Sequence, residues 1–320
     1  MKMMSRKEAL AQLQAEAADS SRLFEKPLTQ WRLALRRFRG RKSGMIGLGI
    51  VVFLILVAIF APLLAPYGPT EILIGKEDVS RYGPPCIHML GCDQASPQHI
   101  LGLDGNVRDE FSRVIYGSRV SLTLGFFTVT LALIVGASIG AVAGYLGGWF
   151  DNIAMRFMDV ILGFPSLLLA IAIVAVLGPG LRNALIAIAI VTIPQYARVT
   201  RAQVLGLKEA DYVSASRALG ASPMHILLRR VLPNALTPLV VLATLGVATA
   251  ILEAAGLSFL GLGAQPPTAE WGSMLASERN QVFTAPHLVF FPGLAIMITV
   301  LGFNLMGDGL RDALDPTLNR

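Results

Sequence analysis

The chain has 320 residues, of which 54% are hydrophobic and 15% charged, and its net charge is +6. An ordinary soluble domain has about 25% charged residues, and the mean hydropathy here is +0.60. Disorder is excluded because there is ample apolar surface to bury, and a soluble globule of this size could hardly hide so much of it. The composition therefore indicates a membrane protein.

Six apolar intervals predict transmembrane helices, because a span needs about 20 mostly apolar residues. The first covers residues 45–64 within the segment 44–65, too far into the chain for a cleaved signal peptide. The Gly-Pro-Gly sequence at 178–180 ends the third span, and the fourth is the shortest. We expect an all-α polytopic membrane protein whose further spans cover 120–150, 160–177, 183–197, 231–252 and 288–307.

The distribution of charge predicts the orientation, since Lys and Arg are retained on the cytoplasmic side. Residues 1–43 have eleven basic and four acidic side chains, residues 66–119 five and seven, and residues 198–230 six and two. Both termini are therefore expected in the cytoplasm. The predicted parts are a cytoplasmic segment 1–43, the span 44–65, an extracytoplasmic loop 66–119, a five-helix core 120–309 with a cytoplasmic loop 198–233, and a cytoplasmic tail 310–320.

The expected extracytoplasmic loop contains both cysteines, Cys86 and Cys92. In an oxidising compartment they can close a small disulfide loop, and two unpaired thiols are the alternative. The four histidines show no HExxH spacing, and the chain has no phosphate-binding loop of the G-x-x-x-x-G-K-[ST] type. We therefore expect no metal site and no ATP site in this chain. The basic N-terminal segment lacks interleaved aromatic residues and abuts a span, so we expect no nucleic-acid partner either.

Two polar residues of the apolar segments deserve a functional interpretation. Glu253 lies at the end of the fifth predicted span, where it either serves a translocation path or makes a helix-packing hydrogen bond. Ser138 lies in a G-x-S-x-G match, a pattern that marks a nucleophile only on a strand-to-helix turn. Here Gly136, Gly140 and Gly144 repeat every four residues inside an apolar helix, which favours close helix packing.

The basic loop between the fourth and fifth spans is long, and loops of this length are usually functional. Asp211 is predicted to N-cap a short helix through Leu219, and Gly220 is predicted to end it. Such a helix suits a groove on another protein, and a plain interfacial helix is the alternative. Its small side chains are Ser214, Ala215, Ser216 and Ala218.

The residues of this loop resemble a family signature. The spacing S-A-S-x3-G-x9-R-x-L-P, from Ser214 to Pro233, is similar to the E-A-A-x3-G-x9-I-x-L-P signature of membrane subunits of ABC importers. The chain departs from it at Ser214, Ser216 and Arg230, which stand where the family has Glu, Ala and Ile. The matching residues are Ala215, Gly220, Leu232 and Pro233.

Three more segments resemble the same family. Residues 99–122 are similar to HPLGTDxxGRDxxSRxxYGxRxSL, and residues 257–275 and 291–316 match as well. Together they indicate a C-type permease of the dipeptide, oligopeptide and nickel import group. The sequence DYVSASR at residues 211–217 looks most like dipeptide permeases, with oligopeptide, glutathione and nickel permeases as alternatives.

The resemblance implies a type I ABC importer permease fold and a non-catalytic transport subunit in the inner membrane. It implies four partners besides lipid: a related permease, two ATPase subunits that bind ATP and Mg²⁺, and an extracytoplasmic solute-binding protein. It also implies that the helix around Ser214, Ala215, Ser216, Arg217, Gly220 and Ala221, with Leu232 and Pro233, couples to an ATPase. The competing functions are an intramembrane serine hydrolase that uses Ser138 and a purely structural membrane scaffold.

Overall fold

A computed structural model describes residues 30–93 and 96–314 of the chain. The predictions made for residues 1–29 and 315–320, which belong to the two expected cytoplasmic termini, lie outside the described residues. The described part is built from α-helices and has no named strand, which confirms the all-α prediction.

Twelve α-helices follow one another in the described residues, with short 3₁₀ turns at His88–Leu90 and Arg279–Gln281 and a π turn at Leu227–Val231. They are α1 Gln30–Gly40, α2 Lys42–Ile59, α3 Ala61–Leu64, α4 Glu110–Leu146, α5 Gly148–Leu162, α6 Ser166–Leu177, α7 Leu181–Leu207, α8 Asp211–Ala218, α9 Pro223–Ile226, α10 Leu232–Phe259, α11 Trp271–Glu278 and α12 His287–Leu314.

Five of these elements are long and apolar enough to cross a membrane: α2, α4, α7, α12 and the continuous stretch Pro223–Phe259 that ends in α10. A sixth crossing is available if α5 and α6 together make one bent span. The predicted number of spans therefore agrees with the described helices.

The third predicted span, residues 160–177, is wrong as a single straight helix. The chain bends by 93° between α5 and α6, at Gly163, Phe164 and Pro165. The carbonyl of Pro165 accepts the first hydrogen bond of α6, from the amide of Leu169. Because proline cannot donate to the preceding turn, the sequence Gly-Phe-Pro ends α5 and starts a new helix in another direction.

The fourth span is longer than the charge-free interval 183–197 suggested. Helix α7 has 27 residues and continues past Arg198 and Arg201. Both guanidinium groups are paired with acids of α5: Arg198 with Asp159, and Arg201 with Asp151. Nη2 of Arg201 lies 2.6 Å from Oδ2 of Asp151. Because these ion pairs neutralise both arginines, α7 can continue past Arg198 to Leu207.

The glycine repeat of α4 forms the most extensive helix contact in the structure, with α7. A Cβ atom on Gly136 would lie 2.6 Å from the carbonyl oxygen of Ile193, and one on Gly140 would lie 2.2 Å from that of Ala197. The two helices run in the same direction with their backbones nearly touching. The packing interpretation of the repeat is therefore confirmed.

Ser138 lies within the same repeat but on the exposed side of α4. Its hydroxyl donates a 2.7 Å hydrogen bond to the carbonyl of Ile134, one turn earlier in the same helix. This is the usual arrangement of a serine in an apolar helix, where the backbone carbonyl satisfies the hydroxyl.

The remaining long helices complete the bundle around this pair. Helix α10 packs against α4, where Ile251 fills the space beside Gly125, and α12 packs against α2, where Gly302 lies against Ile50. Residues 66–93 and 96–109 lie at the end where α4 begins, which we call the disulfide end. Helices α4 and α7 finish at the opposite end, where α8 follows.

Substituting Gly140 with alanine tests the close contact of α4 and α7. The added methyl group would meet the Ala197 carbonyl, so Gly140→Ala is expected to lower the free energy of unfolding by about 1–3 kcal/mol. Thermal unfolding of the detergent-solubilised protein measures the loss. Gly49→Ala in α2 is the control, because nothing lies within 4 Å of the added group. Equal melting temperatures for both variants would contradict the proposed contact.

Candidate functional site

The loop between α7 and α10 lies at the end of the bundle opposite the disulfide end. We define residues 211–221, which comprise α8 and its C-terminal turn, as the docking segment. Val213 is its buried side chain and belongs to a small apolar cluster with Ala141 of α4, Val204 of α7 and Val231. The segment is thus held against the ends of both helices of the central pair.

The docking segment begins and ends in a defined way. The prediction that Asp211 is the N-cap is wrong: Ala210 occupies that position and Asp211 is the first helical residue, where its negative charge still favours the helix N-terminus. The prediction for Gly220 agrees with the geometry, since its φ is +80°. The amide of Gly220 donates to the carbonyl of Arg217, and the amide of Ala221 donates to that of Ser216, which together form a Schellman motif.

The outward face of the docking segment is small, apolar and cationic. Ser214, Ala215 and Arg217 are exposed, and Ser216 is partly buried with its hydroxyl donating to the carbonyl of Tyr212. Leu219 is 89% exposed. A rigid helix that presents an uncovered leucine beside a guanidinium group is suited to insertion into a groove of another protein.

The last two residues of the signature lie at the start of α10. Leu232 packs at the edge of the cluster that holds Val213, and Pro233 is exposed in the first turn. The hydroxyl of Tyr212 also donates to the carbonyl of Arg230, 3.4 Å away. The docking segment and α10 are therefore joined through side chains as well as through the chain.

A groove runs along α7 and α10. Two cavities of about 590 and 500 Å³ share Val199, Leu242 and Leu245 and form one continuous depression, the α7–α10 groove. Its part beside α5 and α6 combines an apolar wall with a few polar groups, which is the usual composition of a ligand site. Those polar groups are Ser166, Thr192, Gln195, Arg198, Thr249 and Glu253.

Glu253 points into the α7–α10 groove from near the C-terminal end of α10. Its Oε1 accepts a 2.8 Å hydrogen bond from the hydroxyl of Ser166, the first residue of α6. The geometry thus includes both alternatives considered for this residue, a groove-lining position and a hydrogen bond between helices.

At the disulfide end, a buried histidine bridges two acids. Nδ1 of His99 lies 3.0 Å from Oδ1 of Asp109, and Nε2 lies 3.2 Å from Oε2 of Glu77. Burial of the ring opposes protonation, but the hydrogen bonds and negative charges of Asp109 and Glu77 outweigh it, so the pKa of His99 is raised. Burial and the hydrogen bond to Glu77 raise the pKa of Tyr67 to about 12.

Asp109 and further acidic residues stabilise the beginning of α4. Oδ2 of Asp109 accepts a 2.7 Å hydrogen bond from the amide of Ser112 and so caps the helix. Asp104 accepts from both Nε and Nη2 of Arg108, each at 2.7 Å. Glu278 of α11 lies beside this group, and burial raises the pKa of its carboxyl group. Polar residues of the segment 99–122, quoted above for its resemblance, thus form a largely buried network with Glu77 and Glu278.

Cys86 and Cys92 are joined by a disulfide in the structure, with their Cα atoms 5.4 Å apart. The small loop that they close contains the 3₁₀ turn His88–Leu90, and Met89 at its tip is 96% exposed. The bond therefore presents an apolar side chain on a short closed loop at the disulfide end.

Comparisons with known proteins agree with this geometry. Residues 136–320 match the family described as "binding-protein-dependent transport system inner membrane component", and residues 29–85 match the "N-terminal TM domain of oligopeptide transport permease C". The chain belongs to this family of transporter permeases. The family membership inferred from the motifs is confirmed, and with it the role of a membrane permease component of an ABC importer.

Two relatives are similar to the permease over most of both chains. A dipeptide transport system permease protein of Alkalihalophilus pseudofirmus is 48% identical over 291 residues, 91% of each chain. A glutathione transport system permease protein of Escherichia coli is 47% identical over 290 residues, also 91% of each. The solved inward-facing methionine ABC transporter MetNI has a similar fold, with a TM-score of 0.52, 20% identity and coverage of 64% of the permease and 97% of that chain.

The sequence predicted a short helix ended by Gly220, which the structure contains, but it did not single out the polar network of the disulfide end. Its members His99, Asp104 and Asp109 come just before a long apolar helix, which is a signal for a capped and anchored helix start. Their partners Glu77 and Glu278 are far away in sequence and could not be assigned from spacing.

The histidine network predicts a pH dependence of the disulfide end. Because the pKa of His99 is raised above 6.5 in the folded permease, its ion pairs stabilise the fold fully below about pH 6.5 and are lost as the pH rises through the folded pKa. Hydrogen exchange of residues 66–109 should therefore quicken as the pH rises above about 6.5 and through the raised pKa of His99, after correction for intrinsic rates.

His99→Gln should remove this added sensitivity, and His88→Gln should keep it, since His88 bonds only to the carbonyl of Ser96 among the contacts described for its ring. An unchanged pH response in His99→Gln would show that another group is responsible.

Proposed function

We propose that the permease imports dipeptides, or short peptides more broadly, across the cytoplasmic membrane. The observation that carries the proposal is the docking segment: a rigid helix with an exposed cationic and apolar face, fixed to the helices that line a groove with an apolar wall and a few polar groups. Support for peptides comes from the relative named as a dipeptide permease, and the glutathione permease is almost equally similar. Oligopeptides and nickel are the remaining substrate alternatives.

In the proposed orientation, the docking segment and both termini face the cytoplasm and the disulfide end faces outward. Residues 66–119 would then meet a solute-binding protein, and the exposed Met89 loop adds an apolar contact there. A second, homologous permease would complete the channel, because the α7–α10 groove is open along one side.

Energy for transport would come from two partner ATPase subunits, and ATP and Mg²⁺ would bind to those subunits. Closure of the ATPase pair would push the docking segment. Because Val213 is packed against α4 and α7 and Leu232 begins α10, the push would reach the helices of the groove together. A rigid-body rotation of these helices would change the side from which the groove is open.

A hydrolase function for Ser138 receives less support. A serine nucleophile needs an adjacent base to activate it, and the hydroxyl of Ser138 is directed to a carbonyl of its own helix. The proposal therefore treats the chain as a non-catalytic subunit.

Uptake by the reconstituted complex tests the substrate. Proteoliposomes containing the permease, its partner permease, both ATPases and the cognate binding protein should accumulate a radiolabelled dipeptide in an ATP-dependent manner. Glutathione and Ni²⁺ are tested in parallel. Accumulation of Ni²⁺ without any peptide would overturn the peptide proposal, whereas accumulation of glutathione alone would restrict it to that tripeptide.

Variants of the docking segment test coupling. Gly220→Trp forces a bulky side chain into a positive φ, and Arg217→Glu reverses an exposed charge. Both variants should insert and fold normally but lose uptake by about tenfold or more, while ATP hydrolysis no longer responds to liganded binding protein. The control is Arg156→Glu, the same charge reversal at an exposed position of α5. Normal uptake in both docking variants would refute the assignment.

A further inference from the structure

Glu253 has no described basic partner in its own part of the α7–α10 groove, the part beside α5 and α6. The other ionisable side chain in this part of the groove, Arg198, is paired with Asp159. Among the described residues, Glu253 has no basic partner, and its one hydrogen bond comes from the neutral hydroxyl of Ser166. A carboxylate can accept about four hydrogen bonds, so this one keeps most of its capacity for a ligand.

The surroundings of Glu253 make an ionic contact effective. The wall beside it is apolar, with Val191, Leu242 and Ala250, and apart from the paired Arg198 the polar groups of this part of the groove are uncharged. In such surroundings water screens a charge less than it does at an open surface, so a cation that arrives is attracted more strongly. A compact ammonium group, which donates three hydrogen bonds, fits a carboxylate with free acceptor positions.

The hydroxyl groups of Thr192 and Thr249, which also line this part of the groove, do not donate to Glu253. Thr192 donates to the carbonyl of Ile188 at 2.6 Å, and Thr249 donates to that of Leu245 at 3.5 Å. Both protons are used within their own helices, which leaves only acceptor oxygens toward the groove. They add acceptor oxygens beside Glu253, while the remaining side-chain donors of this part of the groove are Gln195 and the paired Arg198. Glu253 is therefore the group that can attract a cationic donor.

We propose that Glu253 binds the terminal ammonium group of a peptide as it passes along the α7–α10 groove. The inference rests on the proposed peptide transport and names the specificity-determining residue for it. Peptides with a free amino terminus would be held at this position, while the side chains of the peptide meet the apolar wall.

A purely structural role for Glu253 makes a different prediction. If Glu253 only connects α10 to α6, its role depends on the hydrogen bond from Ser166. Ser166→Ala should then lower uptake at least as much as Glu253→Gln. The glutamine keeps an amide oxygen that can still accept the Ser166 hydrogen bond, whereas the alanine removes the donor and keeps the carboxylate. The pair of variants therefore separates the two roles.

The experiment uses the complete transporter in proteoliposomes, with the binding protein saturated by a radiolabelled dipeptide. Glu253→Gln is expected to lower uptake by about tenfold, and Ser166→Ala by less than about twofold. Asp312→Asn is the matched control, an acid-to-amide change in a half-buried residue outside the groove that is paired with Arg41 at 3.8 Å. ATP hydrolysis stimulated by liganded binding protein should stay normal in all three variants.

Equal uptake by Glu253→Gln and the wild type would overturn the inference, and so would equal losses in Glu253→Gln and Ser166→Ala. If Glu253→Gln does not assemble, Glu253→Asp and Glu253→Asn decide, because they have the same size and differ in charge; equal uptake by these two would also overturn it. A wild-type transporter that carries no peptide contradicts the proposed function instead, so the two failures are distinct.

Discussion

The contact between α4 and α7 is the constraint on which the rest of the permease depends. Glycines spaced by four residues remove side chains from one face of α4, and the backbone of α7 occupies the space. In a membrane, such van der Waals contact replaces the hydrophobic effect as the force between helices. Val213 of the docking segment packs against this helix pair, and the contact also determines which face of α7 lines the groove.

Paired charges determine how the helices end. A count of uncharged residues places the end of the fourth span before Arg198, but α7 continues because Asp159 and Asp151 of α5 neutralise Arg198 and Arg201. The same pairs hold α5 alongside α7 and so determine where the chain can turn into α6. The 93° bend is therefore a consequence of local sequence, Gly-Phe-Pro, and of ion pairs that no local pattern reveals.

The parts of the structure that follow from local chemistry could be predicted. These are the number of apolar segments, the helix break at Gly178–Gly180, the glycine repeat and the left-handed Gly220. The N-cap at Asp211 was wrong by one position, within the usual uncertainty of helix ends. The network around His99 and the hydrogen bond of Glu253 to Ser166 could not be predicted, because each joins residues whose spatial proximity depends on the complete fold.

The continuous helical stretch Pro223–Phe259 has 37 residues. At about 1.5 Å per residue it is about 55 Å long, whereas the hydrocarbon layer is only about 30 Å thick. Even with a strong tilt, part of it must stand in water. One end of the stretch is beside the docking segment and Glu253 lies near its other end. Under the proposed coupling, a rotation of this helix at the membrane surface would therefore also move Glu253.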